Sequence, residues 1–412
     1  IAALAAAVAL RPESGSFGPA ILWDGPARLW TPLFFLGAIP LLAVLPARNE
    51  APVALVLCCA LGMSLIAVAR TTVGLFLGLE LMSLPAYLMV YTFRRTPASL
   101  EAAIKYFFAG GVAGALFVLG AALVYAGASS LVLTPVVGAS ASFGVSLMAA
   151  AALFKLGAVP LHFWLPDTYE SSRPELAGFL STSMKAAAVL LLLRVTVLVG
   201  PDSPLVAALP AFAAVTMTVG NFLAYRQQSL PRLLAYSSIS HAGYLLLGVA
   251  AWARLGGSPG GAAPVYFYLA SYLAMNTGAF MVLRMTGLTD TRQLKGLGTR
   301  DPKLAAFLTL MLVSLAGLPP TAGFLAKLLV FWDGVQAGLL GLVLIAAANT
   351  LVGLGYYFRL VRTMYFEQAE GHAPAAEPAA AGTAVLWACA VPTVLLGVYP
   401  AAAVWMREAL SR

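Results

Sequence analysis

The chain has 412 residues, 61% of them hydrophobic and only 10% charged, with a mean hydropathy of +0.90 and a formal net charge of +8. No soluble globular domain carries so little charge, and runs that are continuously apolar exclude a β-barrel, whose strands alternate. Cys58, Cys59 and Cys389 lie inside apolar runs and form neither a disulfide framework nor a metal-ligand spacing, and no phosphate loop, dinucleotide fingerprint or HExxH motif occurs. Any redox cofactor is therefore expected on another chain.

In chain order, the hydropathy predicts a polytopic all-α membrane protein with spans at 1–10 (incomplete), 29–46, 51–69, 71–93, 101–127, 139–165, 174–199, 204–227, 230–254, 264–285, 303–333, 337–366 and 383–405. "IAALAAAVAL" reads as the tail of a helix already under way at Ile1 rather than as a signal peptide, since no basic flank precedes it. The spans at 139–165 and 303–333 are too long for simple crossings and contain prolines, so both are expected to be broken. Glu367 to Gly382, "EQAEGHAPAAEPAAAG", reads as a mobile Ala/Pro/Glu-rich linker.

Basic residues test the count. One side collects Arg48, Arg94, Arg95, Arg173, Arg226, Arg232, Arg284, Arg292, Lys295, Arg300, Lys303, Arg359 and Arg362. The other receives Arg11, Arg28, Arg70, Arg194, Arg254, Arg407 and Arg412. The richer side is assigned to the cytoplasm, which puts the C-terminus outside.

Five charges fit no loop: Glu80, Lys105, Lys155, Lys185 and Lys327. A charge at the bilayer centre costs ~2.5–3.5 kcal/mol on insertion scales, so these groups must face the bundle interior, water or one another. Lys105, five residues into its span, suits snorkelling to the interface as well as a buried role. Glu80 is short, and its plainer reading is a structural ion pair. Embedded lysines near a carboxylate suit stepwise proton or cation transfer, because a desolvated amine changes protonation when its partner moves. Two breaks accompany them. Lys155 lies five residues before Pro160, in "FKLGAVPLHFWLPDTY", and Lys327 lies seven after Pro320, beyond the Pro319–Pro320 pair of "LAGLPPTAG". Unwound backbone at this depth is expected to line a cavity, and the odd number of crossings between the breaks is that of inverted-topology repeats. Ordinary proline kinks are the alternative.

These residues sit in a recurring set of motifs: "LFLGLELMSLPAYLMV", "EAAIKYFFAGG", "FKLGAVPLHFWLPDTYE", "LLAYSSISHAGY", "LKGLGTRDP", "SLAGLPPTAGF" and "YYFRLVRTMYF". Over about 70–412 the chain resembles the antiporter-like membrane subunits of respiratory complex I, NADH–quinone oxidoreductase, and within them subunit N. The resemblance implies two discontinuous helices in inverted repeats, with N-terminal helices at 1–70 (their start missing), repeats at 71–199 and 200–333, and C-terminal helices at 334–412. It also implies fourteen helices, with Glu80 in the fifth; that agrees with Ile1 falling inside the second. Glu80 would pair with Lys155, Lys185 would be the central relay and Lys327 the outlet lysine. A lysine at Lys327 favours subunit N over subunit M. His241 would line the central hydrophilic axis, or else bond within a packing face. FMN, iron–sulfur clusters and quinone would lie on other subunits, and the partners would be subunit M, small membrane subunits and lipid, without nucleic acid, in a prokaryotic inner membrane. The family's "YEGAPTP" is here "YESSRPE", which introduces Arg173 and Glu175, and the glycine before the last lysine is Ala326. Both are expected to alter loop contacts rather than transport. Related assemblies, an Mrp-type cation/proton antiporter or a membrane-bound hydrogenase subunit, share the lysines and breaks, and a structural spacer would tolerate their loss.

Overall fold

The computed structural model describes residues 15–45, 50–368 and 380–411. The expected span at 1–10 and most of the linker lie outside the described residues. A hairpin pairs β1 (Gly15–Phe17) with β2 (Ile21–Trp23) in antiparallel register; strands of three residues leave no periodic signal, and the sequence did not announce them. Sixteen α-helices follow among the described residues. They are α1 (Gly25–Ala43), α2 (Glu50–Val68), α3 (Thr72–Thr92), α4 (Pro97–Ala128), α5 (Ala139–Leu156), α6 (Trp164–Ser171), α7 (Pro174–Thr196) and α8 (Pro204–Tyr225). The rest are α9 (Leu230–Arg254), α10 (Ala263–Thr286), α11 (Leu297–Arg300), α12 (Pro302–Ala316), α13 (Ala322–Gln336), α14 (Leu340–Phe366), α15 (Ala380–Val398) and α16 (Ala401–Ser411). Ten are long and apolar enough to cross a membrane. The other two expected crossings are α10, made more polar by Tyr266, Tyr268, Tyr272 and Asn276, and the pair α12 and α13.

Helix starts follow a local rule. At Thr96–Pro97, Ser203–Pro204 and Asp301–Pro302 a side-chain oxygen accepts from a backbone N–H three residues on (Ser99 at 3.2 Å, Val206 at 3.4 Å, Leu304 at 3.0 Å) while proline fills a position whose N–H would be orphaned.

Both long spans are broken, as expected, but not at the prolines. α5 stops at Leu156, where Gly157 takes a left-handed conformation (φ +77°), and α12 stops at Ala316 before Gly317 (φ +84°). Glycine adopts that region without a Cβ penalty and so sets the end. The prolines follow in the unwound segments, both preceded by cis peptide bonds (Val159–Pro160 and Pro319–Pro320). A second correction concerns the cavity expected there: Pro160, Pro319 and Pro320 are exposed on the outer surface of the chain. The inner groups are satisfied by protein instead. Val159 N–H donates to Thr216 Oγ1 (3.0 Å), Trp164 Nε1 to the Phe154 carbonyl (3.2 Å) and Gly323 N–H to Ser314 Oγ (3.1 Å). Prolines lack an N–H and can face outward without leaving a donor bare. A third correction concerns the last span, 383–405. α15 ends at Val398, before Pro400, and α16 turns back against α1, where Arg28 donates to the Ala409 carbonyl (3.5 Å).

α7 and α9 form the centre, with 100% and 94% of their spanning windows buried, whereas α4 and α15 have 33% and face outward. Arg70 and Arg194 fall at one end and Arg94, Arg232 and Arg359 at the other, in line with the sequence grouping. Asp24 pairs with Arg194 (2.5 Å) near Ala20 and Arg70, whose N–H donates to the Ala20 carbonyl. At the opposite end Arg232 pairs with Asp167 and Glu170, Arg94 donates to the Glu170 carbonyl, and Arg359 donates to the Tyr225 carbonyl.

Lipid tails are as apolar as leucine, so these helices gain from close packing rather than from hiding oil from water. Three antiparallel pairs approach closely at glycines. Gly62 and Gly78 (α2/α3) face each other, as do Gly120 and Gly144 (α4/α5), while in α8/α9 Gly220 lies against Tyr236 and Ser240 and Gly243 against Ala213 and Met217. A Cβ on Gly220 would stand 2.5 Å from the Ser240 nitrogen, and one on Gly243 would stand 2.5 Å from the Met217 nitrogen. Gly243→Leu is expected to force α8 from α9 and destabilise the subunit by about 1–3 kcal/mol or more, seen as a lower Tm and less assembled protein. Gly200→Ala, which meets nothing within 4 Å, should leave both unchanged.

Candidate proton-transfer site

Lys155, in the last turn of α5, is 6% exposed. Its Nζ donates to the Tyr87 hydroxyl (2.7 Å) and lies over the rings of Tyr87 (4.5 Å to the centroid) and Tyr106 (4.8 Å). Tyr106 stacks on Trp164 with centroids 4.0 Å apart and an interplanar angle of 2°. The break thus places Trp164, the first residue of α6, where it both locks the cage and takes up the Phe154 carbonyl. An ammonium over aromatic faces is held by their quadrupoles without a formal countercharge.

Glu80 and Tyr87 lie two turns apart on one face of α3, and Gly110 and Gly114 of α4 leave the space they fill. A Cβ on Gly114 would stand 2.8 Å from Glu80 Oε1, and one on Gly110 would collide with the Tyr87 hydroxyl. The carboxylate is therefore beside the cage, and the direct contact of Lys155 is with Tyr87, not with Glu80.

Lys185, in the middle of α7, is 1% exposed. It donates to the Ser238 carbonyl of α9 (2.5 Å) and has the Tyr272 ring at 5.8 Å. One turn along α9, His241 is also buried. Its Nδ1 meets the Tyr268 hydroxyl (2.7 Å), its Nε2 the Tyr357 hydroxyl (3.4 Å), and its ring lies 4.9 Å from that of Tyr272. Tyr357 continues to Ser237 Oγ (2.5 Å). His241 thus lies on the polar axis and within a helix-packing face at once. A further turn brings Tyr244, 5.9 Å from His241 ring to ring and 4.8 Å from Lys327 Nζ.

Lys327, on α13, reaches back across its break. Its Nζ donates to the carbonyls of Leu315 (3.2 Å) and Ala316 (3.0 Å), two of the groups left without intrahelical partners at the end of α12. That end carries the negative pole of the helix dipole, which suits a cation.

Lys105 stands apart. Its side chain is 47% exposed and pairs with Glu101 (2.7 Å) and Asp167 (3.0 Å), in a cluster that continues to Arg232 and Glu170 beside an open cleft of about 180 Å³. The geometry is that of an interfacial lysine. Sequence reasoning passed over Tyr87, Tyr106, Tyr244, Tyr268 and Tyr272. Their signal was present only as spacing: Tyr87 at seven residues from Glu80, and Tyr268 and Tyr272 one turn apart.

What this arrangement offers is a series of buried amines and an imidazole whose contacts are hydroxyls, carbonyls and ring faces. Among the described residues, no carboxylate forms an ion pair with Lys155, Lys185 or Lys327. Such groups can hold a proton and pass it on.

Comparison with known proteins places this architecture. The signature of the family described as NADH:quinone oxidoreductase/Mrp antiporter, TM, matches residues 69–353. The NADH-quinone oxidoreductase subunit N of Methylobacterium nodulans is 37% identical over 414 aligned positions, covering 94% of this chain and 83% of that protein. Among solved structures, a chain of Thermus thermophilus respiratory complex I with bound aureothin superposes with a TM-score of 0.87 at 35% identity, over 97% of this chain and 90% of that one. A chain of the Mrp complex from Dietzia sp. DQ12-45-1b reaches the same TM-score at 20% identity, over 99% of this chain and 89% of that one, and shares the fold. The chain belongs to the NADH:quinone oxidoreductase/Mrp antiporter transmembrane family, and within it to the subunit N proteins of NADH-quinone oxidoreductase.

Proposed function

We propose that the chain is a proton-translocating membrane subunit of a bacterial NADH–quinone oxidoreductase, and that Glu80, Lys155, Lys185, His241 and Lys327 carry the proton. The observation behind this is the set of buried lysines held by neutral acceptors, on a fold whose subunit N relatives are 34–40% identical. In this reading the chain works within the enzyme without redox chemistry of its own; FMN, iron–sulfur clusters and quinone reside on other subunits. The partners are the other membrane subunits, including the antiporter-like subunit M, with lipid at the outer faces. The chain lies in the inner membrane, its basic-rich end towards the cytoplasm and its C-terminus outside.

Quinone reduction elsewhere shifts charge at Glu80. Glu80 Oε1 and the Tyr87 hydroxyl meet α4 at Gly114 and Gly110, one turn apart, so the charge of Glu80 acts on the Lys155 cage over a short distance. The change of charge passes from Lys155 to Lys185, then along His241 and its tyrosines to Lys327, and a proton is expelled outward. Moving one charge against the membrane potential requires ~2.3 kcal/mol per 100 mV, and the partner subunits supply it. The likeness to the Mrp complex, at 20% identity, extends to the fold, while the identity to subunit N favours coupling to NADH over free-standing antiport.

Lys155→Ala is expected to lower NADH-driven proton uptake in inverted membrane vesicles by roughly tenfold or more while the complex stays assembled; uptake at the unsubstituted level would make the subunit a spacer. Lys105→Ala removes only a solvent-screened surface ion pair, and its uptake should remain close to the unsubstituted level. Tyr87→Phe keeps both rings of the cage and deletes the hydroxyl 2.7 Å from Lys155. It should therefore slow uptake at unchanged assembly, to a level between those two variants.

A further inference from the structure

Glu175 has no part in this relay, yet its side chain is 0% exposed. Its Oε1 is approached by Arg173 Nη2 (2.7 Å) and Arg284 Nε (3.5 Å), two side chains that are 26% and 28% exposed. Neither carboxylate oxygen has a hydrogen-bond partner among the described residues, and Oε2 lacks the ion-pair contacts of Oε1 as well. A buried carboxylate oxygen without a donor is costly, and there is a small space beside it that one other polar side chain, Thr277, reaches. A cavity of about 10 Å³, near the least that admits one water, is lined by Glu175, Gly178 and Thr277 together with apolar side chains.

The cavity opens one end of an antiparallel seam between α7 and α10. Glu175 faces Arg284, and Gly178 faces Phe280. Thr182 Oγ1 lies 3.5 Å from Thr277 Oγ1, and Ser181 Oγ accepts from Asn276 Nδ2 (2.7 Å). Lys185 lies beneath Tyr272. Residues 175, 178, 181, 182 and 185 recur at three and four, so they share one face of α7. Along that face the Asn276 Oδ1 and the Tyr272 hydroxyl also have no hydrogen-bond partner among the described residues. Orphaned buried polar atoms in a row mark places for water. Two arginines clamping a carboxylate could simply tie α10 to the start of α7, but a tie needs neither the free oxygen nor the polar face leading from it to a lysine.

We infer that Glu175 is the loading carboxylate of a water-assisted uptake route along the α7/α10 seam to Lys185, with Arg173 and Arg284 as its latch. A proton from the adjoining aqueous phase forms an O–H bond at Oε2 as Arg173 swings towards solvent. That bond breaks as the cavity water takes the proton. The water passes one of its own onward past Thr277 and Thr182, and the neutral amine of Lys185 becomes an ammonium. Glu175 returns to the carboxylate and re-engages Arg173. The charged groups facing Glu175 are Arg284 from α10 and Arg173 from the preceding loop; α1 presents the uncharged Gly37, Pro40 and Leu41.

This inference rests on the proton-translocating reading, and the test separates the two. NADH-driven proton uptake is measured in inverted vesicles holding the intact complex, where the outer medium contacts the cytoplasmic face. Without the carboxylate, loading depends on free hydronium, and uptake by Glu175→Gln should fall roughly tenfold per pH unit above neutrality. The unsubstituted protein should hold its rate over that range, and Glu175→Asp should restore most of it. A Glu175→Gln profile parallel to the unsubstituted one, at full or at uniformly reduced rate, overturns the inference, since a mere structural tie would act equally at every pH. Should Glu175→Gln fail to assemble, the near-isosteric pair Thr182→Val and Thr277→Val decides: slowed uptake supports the seam and unchanged uptake overturns it. Full uptake by Lys155→Ala would instead sink the underlying reading.

Discussion

An amine inside an apolar bundle must find acceptors or stay unprotonated, and the whole centre of this protein is arranged around that demand. Each of the buried lysines meets it with a different neutral group. Lys155 has a hydroxyl and two ring faces, Lys185 has a carbonyl borrowed from α9, and Lys327 has the bare carbonyls at the end of α12. Neutral acceptors hold a cation by dipole and quadrupole, which is weaker and shorter-ranged than a carboxylate's grip. On the proposed reading, such a hold keeps a charged group in the interior yet lets it give up its proton.

The two breaks solve a problem that an unbroken helix would create. An intact span offers no free carbonyl to an embedded lysine, because every one is taken by the helix four residues on. Ending α12 at Gly317 frees Leu315 and Ala316, and the lysine that needs them arrives from the other half of the same span. In the first break the roles are exchanged: the Phe154 carbonyl, which also accepts from the Gly157 N–H, accepts from the Trp164 indole, and that indole then braces the ring of Tyr106 under Lys155. The two halves of the fold thus reach the same end by different chemistry.

Charge out of place was the strongest signal in the sequence, and it led directly to Lys155, Lys185 and Lys327. Proline gave away the breaks, but the glycines that end the helices were the better boundary marks, because a left-handed C-cap needs glycine while an outward-facing proline needs only a missing donor. Tyrosines were hidden by their own hydrophobicity; within an apolar run a ring reads as core until its hydroxyl is seen against an amine. The contact of Lys155 with Tyr87 in place of Glu80 depends on which way α3 turns against α4, and that is fixed by Gly110 and Gly114 in a different helix. Lys105, which the sequence left open between a buried and an interfacial place, meets acidic neighbours at the surface because α4 is exposed there. The linker composition and the incomplete span at 1–10 fall outside the described residues.

The glycines of α2/α3, α4/α5 and α8/α9 bear on how such a subunit can work. Backbones this close at their glycines leave no room for a side chain to pass between them, so sliding one helix past the other meets steric resistance. Porters that rock two bundles around a fixed cargo need compliant seams in just these places. On the proposed reading, transport through these pairs needs only small movements, such as those of a lysine stem or a tyrosine hydroxyl. Transport in such a frame is a matter of switching contacts between packed helices, which suits a cargo no larger than a proton.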